Sequence, residues 1–132
     1  PARHLSDPVG GGKLARKDEL GRWGETVAGD FLVANGYEVL DRGWRCRHGE
    51  IDIIARCGRT VAFVEVKTRR TGRYGHPLEA ITSAKFARLR VLAGEWCRVH
   101  RVHAGTVRID AIGIIGDGIA VGSLEHRVGV IE

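Results

Sequence analysis

The 132-residue sequence predicts an α/β domain, a sheet of about five strands flanked by helices. Two segments repeat apolar residues at intervals of three to four, and others alternate at intervals of two. The elements run helix, three strands, helix, two strands, so at least one pair of strands is joined by a helical crossover. With 43% hydrophobic and 28% charged residues, the chain can bury a core of its own.

Residues 1–16 carry Pro8 and three consecutive glycines from Gly10 with little apolar content, and are expected to form a flexible basic tail. Residues 17–132 are expected to form one domain. From Asp18 to Asn35, Leu20, Gly24, Val27, Phe31 and Ala34 recur at helical spacing, and Gly36 follows where helices stop. Gly24 and Gly29 each cost about 1 kcal/mol relative to Ala inside a helix, so another element is expected to approach closely there. Tyr37 to Trp44 alternates weakly as a strand and ends in the turn Arg45-Cys46-Arg47-His48. Glu50 to Cys57 and Thr60 to Thr68 are stronger strands, and the two-residue connection Gly58-Arg59 predicts a type II′ hairpin. A second helix is predicted from Leu78 to Val99, started by Pro77, with Ile81, Ala84, Leu89, Leu92, Trp96 and Val99 on its apolar side. Thr106 to Ile114 and Ile119 to Leu124 are the last two strands, the latter at an edge.

No apolar run approaches the roughly 18 residues of a membrane span, and the N-terminal residues lack the apolar centre of a signal peptide, so a cytoplasmic protein without membrane association is expected. Cys46, Cys57 and Cys97 show neither a disulfide framework nor zinc-ligand spacing. The net charge of +5 is concentrated. Between Arg42 and Arg73 nine Lys/Arg face three Asp/Glu, a local +6, which leaves twelve against thirteen, or −1, elsewhere. A positive field enclosing a small acidic centre suits a polyanion held through a cation.

The hairpin locates that centre. With Gly58-Arg59 as the loop, facing residues have numbers that add to 117. One face then carries Ile51 opposite Val66, Ile53 opposite Val64 and Ala55 opposite Ala62, an apolar core surface. The other carries Ile54 opposite Phe63, Asp52 opposite Glu65 and Glu50 opposite Lys67. Opposed side chains have Cβ atoms about 5 Å apart, where like charges are destabilising unless compensated. A divalent cation compensates, and hard carboxylate oxygens suit Mg²⁺ or Mn²⁺. Lys67 projects to the same face as Glu65.

Glu25 in the first helix, Asp52 in GEIDII and Glu65-Val66-Lys67 in FVEVK resemble the PD-(D/E)xK nuclease superfamily, which includes restriction endonucleases and archaeal Holliday-junction resolvases. The order Gly24-Glu25, Gly49 to Ile54, Phe63 to Lys67 and Lys85 is more closely similar to the YraN family of bacterial proteins, over about residues 20 to 115. The resemblance implies a restriction-endonuclease-like mixed sheet flanked by helices and an endonuclease that hydrolyses phosphodiester bonds in DNA with Mg²⁺ or Mn²⁺, branched or repair and recombination intermediates among its substrates. Asp52, Glu65 and the backbone carbonyl of Val66 would be metal ligands. Lys67 would position or deprotonate the attacking water, and Glu25 would hold a metal-bound water or a second ion. Superfamily members often carry Pro before the first acid, where this chain has Ile51. Junction-cutting relatives act as homodimers, and repair or recombination proteins would be partners.

On a helical wheel Glu25 lies about 140° from Leu20, flanking the apolar stripe, and Lys85 lies about 40° from Ile81, as a phosphate contact or as a stem whose head reaches the edge. Arg69, Arg70, Arg73 and Tyr74 leave the Glu65 strand as a basic loop, able to track phosphates while Tyr74 stacks on a base, or simply a mobile charged loop. Arg42, Arg45 and Arg47 would line the opposite bank. Arg108 and Asp110 are expected to form a structural ion pair. An alternative function is a nucleic-acid-binding adaptor of the same fold with little or no turnover, and a third is a basic scaffold that binds protein.

Overall fold

Helix α1 (Gly12–Ala34) leads into strands β1 (Glu38–Cys46), β2 (Gly49–Cys57) and β3 (Thr60–Arg69). A 3-10 helix (Pro77–Ala80) and helix α2 (Ser83–His100) carry the chain back to strands β4 (Thr106–Gly116) and β5 (Val121–Arg127). The structure, a computed structural model, describes residues 12–130. Residues 1–11 of the expected tail lie outside the described residues, and residues 12–16 begin α1 instead of extending that tail. The five strands form one sheet in chain order, antiparallel except for β3 and β4, whose parallel pairing is the helical crossover the element order required. This is the expected α/β architecture. Among the described residues no helix is long and apolar enough to cross a membrane.

The predicted hairpin register holds through Ile53↔Val64, Ile54↔Phe63 and Ala55↔Ala62, with Gly58 at φ 61° as a type II′ loop requires of its first residue. Both faces of the sheet are covered. On one, Ile53, Ala55, Ala62, Val64 and Val66 pack with Ala28 and Leu32 of α1. On the other, Ile54, Val61 and Phe63 pack with Leu89, Leu92, Ala93 and Trp96 of α2, and the Phe63 and Trp96 rings meet edge to face at 5.7 Å.

Four expectations are corrected. Ile51 packs in the α2 core, not beside Ile53, so the alternation of β2 changes face across Asp52. Opposite this point Gly43 adopts φ 59°, a conformation that lets β1 turn with its neighbour. The second helix is not continuous from Leu78, because Ile81 is extended and Thr82 starts a new helix by accepting the Lys85 N–H at 3.1 Å. The apolar stripes are displaced as well. Ala34, Ala84 and Val99 are exposed, and among the described residues of α1 the fully buried apolar side chains are Ala28 and Leu32. The last strand begins at Val121, leaving Ile119 90% exposed in the preceding turn.

Candidate functional site

The topology gathers the singled-out residues at one end of the sheet. The ends of β1 and β3 and the start of β2 lie there, and so does the start of α2, because the crossover begins where β3 finishes. Gly24 brings α1 down onto this end, where an added Cβ would collide with Thr68, and a Cβ on Gly29 would likewise strike the Arg42 guanidinium. Both close approaches were expected from glycines inside a helix.

The acids meet where β2 and β3 part. The ladder ends at Ile53↔Val64, and Asp52 does not lie across a regular pair from Glu65, nor Glu50 across one from Lys67. Instead Asp52 Oδ2 accepts the backbone N–H of Val66 at 2.8 Å, so a side chain takes the place of a ladder bond. Glu65 is 8% exposed, and because Phe63 packs toward α2 while Val64 and Val66 pack toward α1, it projects to the α2 side. There Lys85 Nζ stands 3.4 Å from Glu65 Oε2. Lys85 is thus a partner of the acid, a role that neither a phosphate contact nor a solvated stem described. Glu25 comes from α1. Measured from Leu32 instead of Leu20 it is only about 20° off by the 100° step, close to the middle of the buried stripe.

These carboxylates press on one another. Glu25 is pushed up to about 7, by burial first and then by the charges of Glu50 and Glu65. Asp52 is held well above the usual carboxylate range by burial, Glu65 and Glu25, against the lowering effect of the Val66 N–H. Burial also raises Glu65, while Lys85 and Lys67 pull it back. Glu50, which ion-pairs with Arg45 at 3.6 Å, adds to the repulsion on all three and was not singled out from the sequence. Its position two residues before Asp52 was the available signal, but regular alternation assigned it to Lys67.

Like charges in a partly dry site need protons or a cation. Among the described residues no three His, Cys, Asp or Glu side chains are already arranged as a metal-binding group. Mg²⁺ and Mn²⁺ do not need such a cage, because they keep several waters and use one or two carboxylates. Asp52 and Glu65 offer the hard carboxylate oxygens that such an ion takes, and the repulsion that Glu65 exerts on Asp52 is what an ion would relieve.

The basic residues flank this end on two loops. In the β1–β2 segment Arg45 meets Glu50, and Arg47 and His48 lie near enough to Glu95 of α2 to lower it together with Arg98. At the last residue of β3, Arg69 donates to the Thr68 carbonyl at 3.2 Å, and in the loop that follows Arg70 donates to the Asp117 carbonyl at 3.0 Å, while the Arg73 backbone N–H is held by Thr71 Oγ1 at 2.9 Å. The Tyr74 ring is 92% exposed. Arg108 and Asp110 form the expected ion pair at 2.8 Å, joined by His126, Tyr37 and the Gly129 N–H.

Residues 24–114 match the model of a family described as "Uncharacterised protein family UPF0102". A UPF0102 protein of Leifsonia xyli is 54% identical over 118 residues, 89% of this chain and all of that protein. A UPF0102 protein of Paenarthrobacter aurescens is 50% identical over 117 residues, 89% of this chain and 97% of its own length. One of Beutenbergia cavernae is 49% identical over 117 residues, 89% of this chain and 99% of its own. The chain belongs to the UPF0102 family, the YraN family that its motifs resembled.

Proposed function

We propose that this protein is a divalent-metal-dependent endonuclease of the PD-(D/E)xK type, acting on DNA. One observation carries the reading. Three carboxylates from separate elements, Glu25 of α1, Asp52 of β2 and Glu65 of β3, are all raised by burial at a sheet end flanked by basic residues, with Glu65 acting on Glu25 and both of these acting on Asp52. A fold concentrates destabilising charge in this way where the charge has work to perform.

When bound, Mg²⁺ or Mn²⁺ would supply Lewis acidity toward the phosphate and a water of lowered pKa. Asp52 and Glu65 would hold the ion, with Asp52 kept in place by the Val66 N–H and Glu65 by Lys85. Lys67, whose charge acts on Glu65, places an ammonium beside the phosphate, orients the attacking water and offsets charge developing in the transition state. Glu25, pushed up to about 7, accepts or returns a proton near neutrality. Arg45, Arg47, Arg69, Arg70 and Arg73 draw in the phosphate backbone.

The test is nicking of supercoiled and branched DNA with Mg²⁺ or Mn²⁺ by wild type, Asp52→Ala and Lys67→Ala. Cleavage by the wild type alone supports the proposal. Equal cleavage by all three marks a contaminant. Salt-sensitive DNA binding without cleavage would make the protein an adaptor of the same fold.

A further inference from the structure

A depression of about 360 Å³ opens beyond the end of β3, lined in part by Arg69, Thr71, Tyr74, His76 and Glu79. Arg69 sets it along β3 from the acidic site. Residues 65, 67 and 69 of β3 share one face by the two-residue period, so Arg69 follows Glu65 and Lys67 along the same side. The walls are held in place. His76 Nδ1 accepts the Leu78 N–H at 3.1 Å, and its Nε2 lies 3.0 Å from Glu125 Oε1. Gly75 has φ 106°, a conformation that favours glycine, and Glu79 Oε1 lies 2.7 Å from where a Cβ there would be. The Gly75 N–H bonds to the Gly72 carbonyl at 3.0 Å, closing a turn that presents Tyr74.

The parts have complementary chemistry. An aromatic ring 92% in water stands beside the concavity, a guanidinium lies on the side of the acids, and a carboxylate that can accept N–H bonds from a base edge lies within it. The volume is near the lower end of the range of about 300–1,000 Å³ for small-ligand sites, a space for one nucleoside and not for a stacked duplex. Bases inside a duplex have both faces covered, so Tyr74 can stack only on a base that has left the stack.

We infer that this depression takes one unstacked nucleotide beside the bond presented to Asp52 and Glu65, so the preferred substrate is DNA with a single-stranded segment next to the cleavage point, such as a flap or a branch, not continuous duplex. The inference rests on the nuclease reading and names its substrate class. Arg69 holds the phosphate of that nucleotide, Tyr74 its base face, and Glu79 its N–H edge.

The experiment uses the full chain carrying Asp52→Asn, so that binding is read without cleavage, and fluorescence anisotropy with a labelled duplex and the same duplex bearing a single-stranded flap. The flap substrate should bind fivefold or more tightly, of the order expected for one stacked base. Adding Tyr74→Ala should abolish that preference by weakening flap binding at least fivefold more than duplex binding, and Tyr74→Phe should retain it. Folding is not at issue, since the ring is solvated. Equal affinity for the two DNAs, or equal weakening of both by Tyr74→Ala, overturns the inference and leaves the nuclease reading standing. Failure to bind either DNA overturns both.

Discussion

Asp52 and Val66 are joined by a 2.8 Å hydrogen bond in which a carboxylate accepts a backbone N–H that a regular hairpin would direct to a neighbouring strand. That bond marks the place where β2 and β3 separate and where the sheet stops being only a scaffold. The bond and the charge of Asp52 have separable effects.

Asp52→Asn keeps an acceptor for the Val66 N–H and removes a charge that burial, Glu65 and Glu25 all oppose. Metal-free stability by denaturant titration should be equal to or above that of wild type. Asp52→Ala leaves the N–H without its partner and should lose about 1–3 kcal/mol. Both should lose DNA cleavage. An Asn variant as unstable as the Ala variant would show that charge repulsion at this site is negligible.

The same repulsion gives a pH dependence. Glu25 moves from 4.5 when unfolded to about 7 when folded, so between these values the folded state binds the extra proton. Stability from this group is therefore full below about 4.5 and is lost as pH rises through 7, with Asp52 and Glu65 adding in the same direction. Thermal melts without metal should fall from pH 5 to pH 8 by roughly 1–2 kcal/mol, less than full linkage because Glu25 is partly solvated. Glu25→Gln should flatten the slope. Mn²⁺ should stabilise wild type more at pH 8 than at pH 5, since the ion competes with protons for the same oxygens. A melt independent of pH in wild type would contradict the raised values.

Gly24 of α1 and Gly94 of α2 separate packing from propensity. Gly24→Ala places a Cβ against Thr68 and should destabilise by about 1–3 kcal/mol, as overpacking does, and Thr68→Ala in the same chain should recover part of the loss. Gly94 is exposed in α2 with open space around a Cβ, so Gly94→Ala should stabilise by about 0.5–1 kcal/mol. Calorimetry on the three variants checks both signs.

The parts of the fold that follow a period were legible in the sequence. The numbers adding to 117 place Ile53, Ile54 and Ala55 opposite Val64, Phe63 and Ala62 because a two-residue loop fixes register and a slip would turn every apolar residue outward. Gly24 and Gly29 of α1 announced close approaches for a similar reason, since each costs helix propensity. What escaped are features set by single side chains. Asp52 ends the ladder by capturing one N–H, which sends Ile51 into the other core and frees Glu50 from Lys67. Thr82 divides a continuous apolar pattern by capping. Lys85 meets Glu65 because α2 starts at Thr82 over the end of β3, a tertiary distance that no spacing within one helix encodes. Glu25 lies at the edge of a stripe centred on Leu20, whereas the apolar side chains of α1 that are 0% exposed among the described residues are Ala28 and Leu32.

Asp110 supplies the control that is acidic and buried without belonging to the site. Its side chain has no exposed surface; burial alone would raise it, yet His126, Arg108 and the Gly129 N–H hold it below the usual carboxylate range. Arg108 bonds both its oxygens, at 2.8 and 2.9 Å, and also reaches the Tyr37 hydroxyl at 2.7 Å. The Gly129 N–H to Asp110 and the Val130 N–H to the Ile109 carbonyl tie the end of the chain to β4. Asp110→Ala removes every one of the carboxylate's bonds and leaves a half-buried guanidinium without its ion pair, so it should cost about 3–5 kcal/mol. Because the lowered group contributes stability above its unfolded value, the loss should be largest near neutrality and shrink as the medium becomes strongly acidic. Divalent-ion binding per folded molecule, by isothermal titration with Mn²⁺, should be unchanged. A change in that affinity would connect Asp110 to the acids of the sheet end and remove its purely structural assignment.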